Sequence, residues 1–294
     1  VKGAAMMSNY EIKTYTDGFP IYEVIEHSTN SWFKIAPVRG GIVISYGVQG
    51  QELLYLDKET FYDPAANIRG GIPVLFPISG QLTDGKYEWN GQHYAMKNHG
   101  VARINPWEVV GTDVTDSAVI TLRLASSEET RESFPFDFEL LFTYRLKDGQ
   151  LTIEQHYANR SDSEMPMYPG FHPYFAADRK ALAYETDARK LYNYNDNSTK
   201  EYSQQVIDLD DTVESVVFLE AEKREIAFSP TAERTIRMTY GKEFQAVVLW
   251  SVVGKPFICV EPWMARTNEL NRKQELVYVK PGAGLSTFLT ISVN

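Results

Sequence analysis

The sequence predicts an all-β protein, built as one large antiparallel β-sandwich with few short helices. Three observations carry that prediction. Period-2 hydrophobic alternation recurs along the chain, positive-φ dipeptides punctuate it, and no strand, long helix, strand succession appears.

The alternation is clearest where Phe136, Phe138, Leu140, Phe142, Tyr144 and Leu146 share one face. Asp137, Glu139, Thr143 and Arg145 occupy the other, broken only by Leu141. Asp148-Gly149 then supplies the pair a two-residue hairpin prefers, and "LTIEQHY" runs back. A second hairpin is written in "KYEWNGQHYAM", with Asn90-Gly91 at its turn. "SAVITLRLAS", "AVVLWS", "FICVEP" and "LSTFLTISV" also read as strands, while Ser126–Ser133 offers a short capped helix that Pro135 ends.

Composition narrows the function. The 294 residues carry a formal charge of −10 and contain no basic run, which argues against nucleic acid or an anionic membrane as partner. Cys259 is the single cysteine, so an internal disulfide and a multi-thiolate metal cage are both excluded. No apolar run approaches a membrane span and no leader is recognisable, so a cytoplasmic location is expected. Residues 1–6, "VKGAAM", read as a cloning remnant before a start at Met6 or Met7, leaving 7–294 as one domain.

Ionisable residues set in apolar or Gly/Pro surroundings are the informative ones, because a charge there needs a partner or a purpose. Four stretches qualify: "NIRGGIPVLFPISG" with Arg69, "KNHGVAR" with His99 and Arg103, "GFHPYF" with His172, and "FICVEPW" with Glu261. Alternation places Phe257, Cys259 and Glu261 on one strand face, with Glu261 at the strand end against Pro262 and Trp263. Poor hydration there should raise the carboxyl pKa and make it a better base, although a buried Glu tied to an Arg would look the same. His172, which Pro173 holds in extended backbone, reads on its own first as a core histidine with one hydrogen bond and only second as a proton donor. His99 and the two arginines could each be ordinary loop contacts. Together, however, an acid, a base and two guanidinium forks on separate rigid segments make a complete kit for a polar ligand.

"RGGIPVLFP", "HGVAR..PW", "GFHPYF" and "CVEPW", in this order and at these separations, resemble the aldose 1-epimerase (galactose mutarotase-like) family, and most of all its hexose-6-phosphate 1-epimerase branch. The resemblance runs from about Gly18 to the C-terminus. It implies a β-supersandwich and cofactor-free interconversion of the α and β anomers of a hexose or hexose 6-phosphate. By motif, His172 stands where the family has its general acid and Glu261 where it has its general base. His99 matches a substrate-contacting histidine, and Arg69 and Arg103 match arginines directed at the sugar phosphate. A substrate-binding Asp has its nearest equivalent in "YNDN", as Asp196. Tyr168, Phe171, Tyr174 and Trp263 are expected to supply the apolar surface on which a sugar stacks.

Ring opening requires a proton removed from the anomeric hydroxyl and another given to the ring oxygen, which suits a carboxylate and an imidazolium acting in concert. Two other readings compete. A non-catalytic carbohydrate-binding or regulatory epimerase-like protein would share the sandwich and the rings. A metal-dependent β-barrel isomerase would want a His-x-His pair followed by Glu, and no two of the five histidines are so spaced. No metal site is expected.

Overall fold

The computed structural model describes residues 8–294, so the remnant expected at 1–6 lies outside the described residues. Three antiparallel sheets dominate. The first is a five-stranded meander, Tyr10–Asp17, Phe19–Glu26, Ser31–Ala36, Ile42–Val48 and Gln51–Glu52. The second has seven strands, with Gly284–Val293, Gln150–Asn159 and Phe138–Lys147 adjacent at its centre. The third has eight strands, seven on its main path and Tyr174–Ala176 paired beside it, and its centre is formed by Ala246–Trp250, Phe257–Trp263 and Gly170–Phe171.

The alternation in the sequence explains the layering. In Phe138–Lys147, Phe138, Leu140, Phe142, Tyr144 and Leu146 are buried while the residues between them are half-buried or exposed. That apolar face meets the eight-stranded sheet, where the Phe142 and Phe171 rings lie 6.1 Å apart. The five-stranded sheet packs over one end of the sandwich, tied there by the buried Tyr46 hydroxyl, which donates to Gly149 O at 2.8 Å and to Ile291 O at 3.0 Å. One hydrophobic cluster runs through all three sheets, from Val24 to Ile291. At roughly 1.5–3 kcal/mol for each fully buried large side chain, burial on this scale is the main force holding the layers together.

Both predicted hairpins form, with Asp148 and Gly149 at φ 52° and 73° and Asn90 and Gly91 at φ 51° and 77°. The predicted helix spans Glu128–Ser133, capped by a reciprocal Ser127–Thr130 box. Two other α-helices among the described residues, Lys58–Tyr62 and Glu269–Arg272, are equally short, and none is long and apolar enough to cross a membrane.

Candidate active site

Each functional side chain sits on backbone that local sequence holds in place. Phe257–Trp263 is buried along its whole length, because strands flank both of its edges and apolar residues line both faces. The strand runs through Trp263, two residues beyond Glu261, so Glu261 is held within it, opposite Val248, rather than emerging at its end. Glu261 is 1% exposed.

The "GFHPYF" segment threads beside this strand, with His172 N donating to Pro73 O at 3.1 Å and Tyr174 N to Gly71 O at 2.9 Å. Gly170 is required here: a Cβ would lie 2.6 Å from Ser79 Oγ and 2.7 Å from Trp263 Cδ1. The "NHG" turn is also conformationally specific. His99 and Gly100 both have positive φ, and a Cβ on Gly100 would lie 2.3 Å from Phe76 O. His99 is clamped reciprocally to Gly80: its N–H donates to Gly80 O at 2.8 Å, and its Nδ1 accepts the Gly80 N–H at 2.9 Å. An Nδ1 acceptor in a neutral ring leaves the proton on Nε2.

These segments converge on one cavity of about 660 Å³, lined by Arg69, His99, Arg103, His172, Glu261 and Trp263 among others. His172 Nε2 lies 3.5 Å from Glu261 Oε1, and Trp263 Nε1 donates to Glu261 Oε2 at 3.1 Å. The His172 ring stacks on Tyr174, with centroids 4.7 Å apart and planes 12° off parallel. Trp250 and His99 meet it edge-on at 5.9 and 5.2 Å.

Burial governs the electrostatics. It pushes Glu261 well above the usual carboxylate range, with the Trp263 N–H pulling modestly the other way. Burial also pushes His172 down to about 3, helped by the positive charges of Arg103 and Arg69. His99 is driven well below its ordinary value by burial and by its proximity to His172 and Arg103. The pair therefore favours neutral imidazole and carboxylic acid over the imidazolium and carboxylate expected from the sequence. One proton separates those two states, and 3.5 Å separates the groups that share it.

The arginines face the same space. Arg69 is fixed through its backbone, with its N–H donating to Thr60 Oγ1 at 3.0 Å and its carbonyl accepting from Asp57 N at 2.9 Å. Its guanidinium has no ion-pair partner among the described residues. Arg103 donates Nη2 to Asn98 O at 2.7 Å, and its buried Nε has no partner among the described residues.

Two sequence expectations need correction. Asp196 does not line the cavity; its exposed carboxylate accepts the Ser198 N–H at 2.9 Å across a β-turn, where an Asp is stabilised locally. Tyr168 and Phe171 are fully buried in the core, where the Phe171 ring packs against Phe142 of the facing sheet, and only Tyr174 and Trp263 of the four expected rings reach the cavity. Sequence reasoning missed Trp250, Tyr194 and Glu214, which also line it. Trp250 was signalled by its strand, since it ends "AVVLW" opposite Cys259, two residues before Glu261. Tyr194 opens the "YNDN" stretch that supplies Asp196, so the motif points to the right loop but the wrong side chain; Glu214, on another loop, gives no signal.

The cavity of this antiparallel sandwich thus brings together a buried histidine–carboxyl pair, flanking aromatic rings and two guanidinium groups with no ion-pair partner among the described residues. Comparison with known proteins makes this specific. The sequence model of the family described as Aldose 1-epimerase matches residues 25–287, and the chain belongs to that family. It is similar to the solved structure of the Slr1438 protein from Synechocystis sp. PCC 6803, at 34% identity over 99% of each chain and a TM-score of 0.88. A galactose mutarotase-like protein from Clostridium acetobutylicum shares the fold, with a TM-score of 0.81 at 17% identity over 97% of this chain and 99% of that one. A Salmonella typhimurium protein named "Putative glucose-6-phosphate 1-epimerase" is 28% identical over 141 residues, 47% of this chain. The chain spans 43% of that relative's length.

Proposed function

We propose that the chain interconverts the α and β anomers of a hexose 6-phosphate, with His172 and Glu261 exchanging protons with the ring oxygen and the anomeric hydroxyl. The observation that carries the phosphate reading is the pair of guanidinium groups, Arg69 and Arg103, that face the same cavity as the acid/base pair without a carboxylate partner among the described residues. In a chain of net charge −10, two unpaired cations in one cavity suit a dianion, which guanidinium forks bind in bidentate fashion.

Mutarotation needs each member of the pair in both protonation states. In ring opening, Glu261 as carboxylate takes the O1 proton while His172 as imidazolium protonates O5. The pair then stands as carboxylic acid and neutral imidazole, which is the state burial favours. Rotation about C1–C2 and closure on the other face return both protons. Arg69 and Arg103 depress His172, so a phosphate that neutralises them eases formation of the imidazolium and readies the pair for ring opening. His99, locked with its proton on Nε2, offers a fixed donor to a sugar oxygen.

The test compares anomer exchange, followed by NMR or polarimetry, for glucose, galactose and glucose 6-phosphate. The reading expects the phosphorylated sugar to exchange fastest. Equal acceleration of all three would remove the phosphate from the proposal, and sugar binding without acceleration would leave a binding protein.

A further inference from the structure

Cys259 lies two residues before Glu261 on the same face of Phe257–Trp263 and is fully buried. Its register partners are Tyr174 and Trp250, both of which line the cavity. One donor atom each from His172, Cys259 and Glu261 lie within 4.8 Å of one another, and all three residues are buried. His172 is only 8% exposed, and its Nδ1 has no hydrogen-bond partner among the described residues.

We propose that His172, Cys259 and Glu261 form a site for a thiophilic divalent cation such as Zn²⁺ or Cd²⁺, and that filling it switches the enzyme off. One cysteine cannot build a thiolate cage, but it can supply one leg of a mixed set. Thiolate, imidazole and carboxylate together make the donor set that zinc-type ions prefer. Metal–donor distances of about 2.0–2.3 Å put the ligands of a tetrahedral site roughly 3.3–3.8 Å apart. His172 Nε2 and Glu261 Oε1 already stand at 3.5 Å, so only the longer separations need to close, by roughly 1.5 Å at most.

His172 and Glu261 face the cavity, which provides an entry path and leaves the fourth position open to water or a sugar hydroxyl. Charge also balances. Thiolate and carboxylate bring two negative charges against a dication, which offsets the opposition of Arg69 and Arg103 across the same space. Binding releases the thiol proton, and the proton shared by the pair, to solvent; no electron is transferred. The site differs from a resident metal centre in one respect. The imidazole has no carboxylate behind it, and nothing beyond its own backbone fixes its orientation, whereas ligating histidines in permanent sites almost always donate to a carboxylate, a carbonyl or water. The structure therefore assigns it to a metal that arrives in excess. Inhibition rests on the acid/base reading given above, because a metal-bound imidazole and carboxylate can no longer carry protons. Binding itself does not rest on that reading.

Because Cys259 is the chain's single cysteine, a metal–thiolate charge-transfer band reports on this site alone. Metal-free protein is titrated with Cd²⁺ in the absence of sugar, and the ultraviolet band is followed to saturation. One equivalent should saturate it, and it should be absent in Cys259→Ala and in the near-isosteric Cys259→Ser. In a second arm, Zn²⁺ inhibition of glucose 6-phosphate exchange is measured for each protein relative to its own metal-free rate. Sensitivity should fall by roughly tenfold or more without the thiolate. A wild-type protein with no band, or variants inhibited as strongly as wild type, would overturn the proposal. A band appearing in a protein that does not accelerate exchange would confirm the site while removing the acid/base reading.

Discussion

Two glutamates, Glu26 and Glu261, are each 1% exposed, yet their surroundings differ completely. Glu26 lies where the five-stranded sheet meets the Asp148-Gly149 hairpin and accepts three hydrogen bonds: from Thr29 Oγ1 at 2.7 Å, Asp148 N at 2.9 Å and Gly149 N at 2.7 Å. Glu261 accepts one, from an indole, and otherwise faces a histidine at 3.5 Å and a cavity. A carboxylate taken out of water needs donors to replace its hydration. At Glu26 the fold supplies them, and the side chain staples a hairpin to a sheet. At Glu261 it does not, and the carboxyl is left with one indole donor, a histidine and the cavity.

Among the arginines the contrast repeats. Arg39 donates to the carbonyls of Thr60, Phe61, Asp63, Pro64 and Ala66, at 2.8–3.4 Å, and lies over the Phe19 ring. Its donors are used up in shaping the segment that leads to Arg69. The Arg69 guanidinium has no hydrogen-bond partner among the described residues, and Arg103 spends only Nη2, on Asn98 O.

Removing each carboxyl in turn is the strongest way to break this comparison. Glu261→Gln and His172→Asn should each slow anomer exchange by roughly 10²-fold or more, with thermal stability unchanged or improved. Glu26→Gln should leave the exchange rate of folded protein intact. Were Glu261→Gln to exchange at the wild-type rate, the unsatisfied carboxyl would be structural and the contrast empty.

The reverse effect on stability comes next. Glu26→Ala strands the buried N–H of Gly149 and the part-buried N–H of Asp148 and should cost about 2–3 kcal/mol in denaturant unfolding. A loss under 1 kcal/mol would mean that water replaces the carboxylate there.

The arginines sharpen the same point. Arg103→Ala and Arg69→Ala should raise KM for glucose 6-phosphate by roughly tenfold or more and change KM for glucose little. Arg39→Gln touches no substrate, but it frees the carbonyls that shape the Arg69 segment. It should give a weaker phosphate-specific rise in KM with kcat preserved. If all three variants raised KM for both sugars equally, the guanidinium groups would serve the ring and not the phosphate.

How much of this contrast the sequence discloses follows from what each part depends on. Alternation and positive-φ turns are local, so the strands around Asp148-Gly149 and the helix at Glu128–Ser133 were legible. The site stretches were legible because a charge between glycines and prolines is conspicuous. Convergence of those stretches depends on sheet pairing across more than a hundred residues, which local pattern does not encode, and the resemblance to a family supplied it. Neither source revealed which aromatic rings face inward: Tyr168 and Tyr174 sit in the same short segment, and only the crossing of Phe257–Trp263 sends one to the core and the other to the cavity. Asp196 looked apt by composition, but a turn had already claimed its carboxylate. Protonation was illegible as well, because the depression of His172 comes from burial and from two arginines distant in sequence.

That protonation state leads to the smallest predicted effect. Burial raises the Glu261 pKa in the folded protein above its ordinary 4.5, so above that pH the native state holds a proton that the unfolded chain has released. Stability must therefore fall as pH rises from about 4.5 toward the folded pKa, by up to about 1.4 kcal/mol per pH unit for this one group. His172 acts with the opposite slope. Its depressed pKa means the unfolded chain binds the extra proton between about 3 and 6.5, so stability rises with pH across that window. The histidine contribution is common to wild type and Glu261→Gln and cancels, to first order, in their difference. Urea unfolding at pH 5, 6.5 and 8 should show the variant gaining on wild type as pH rises. A difference that stays flat would mean that folding leaves the Glu261 pKa where it stands in the unfolded chain, and burial would not govern this carboxyl.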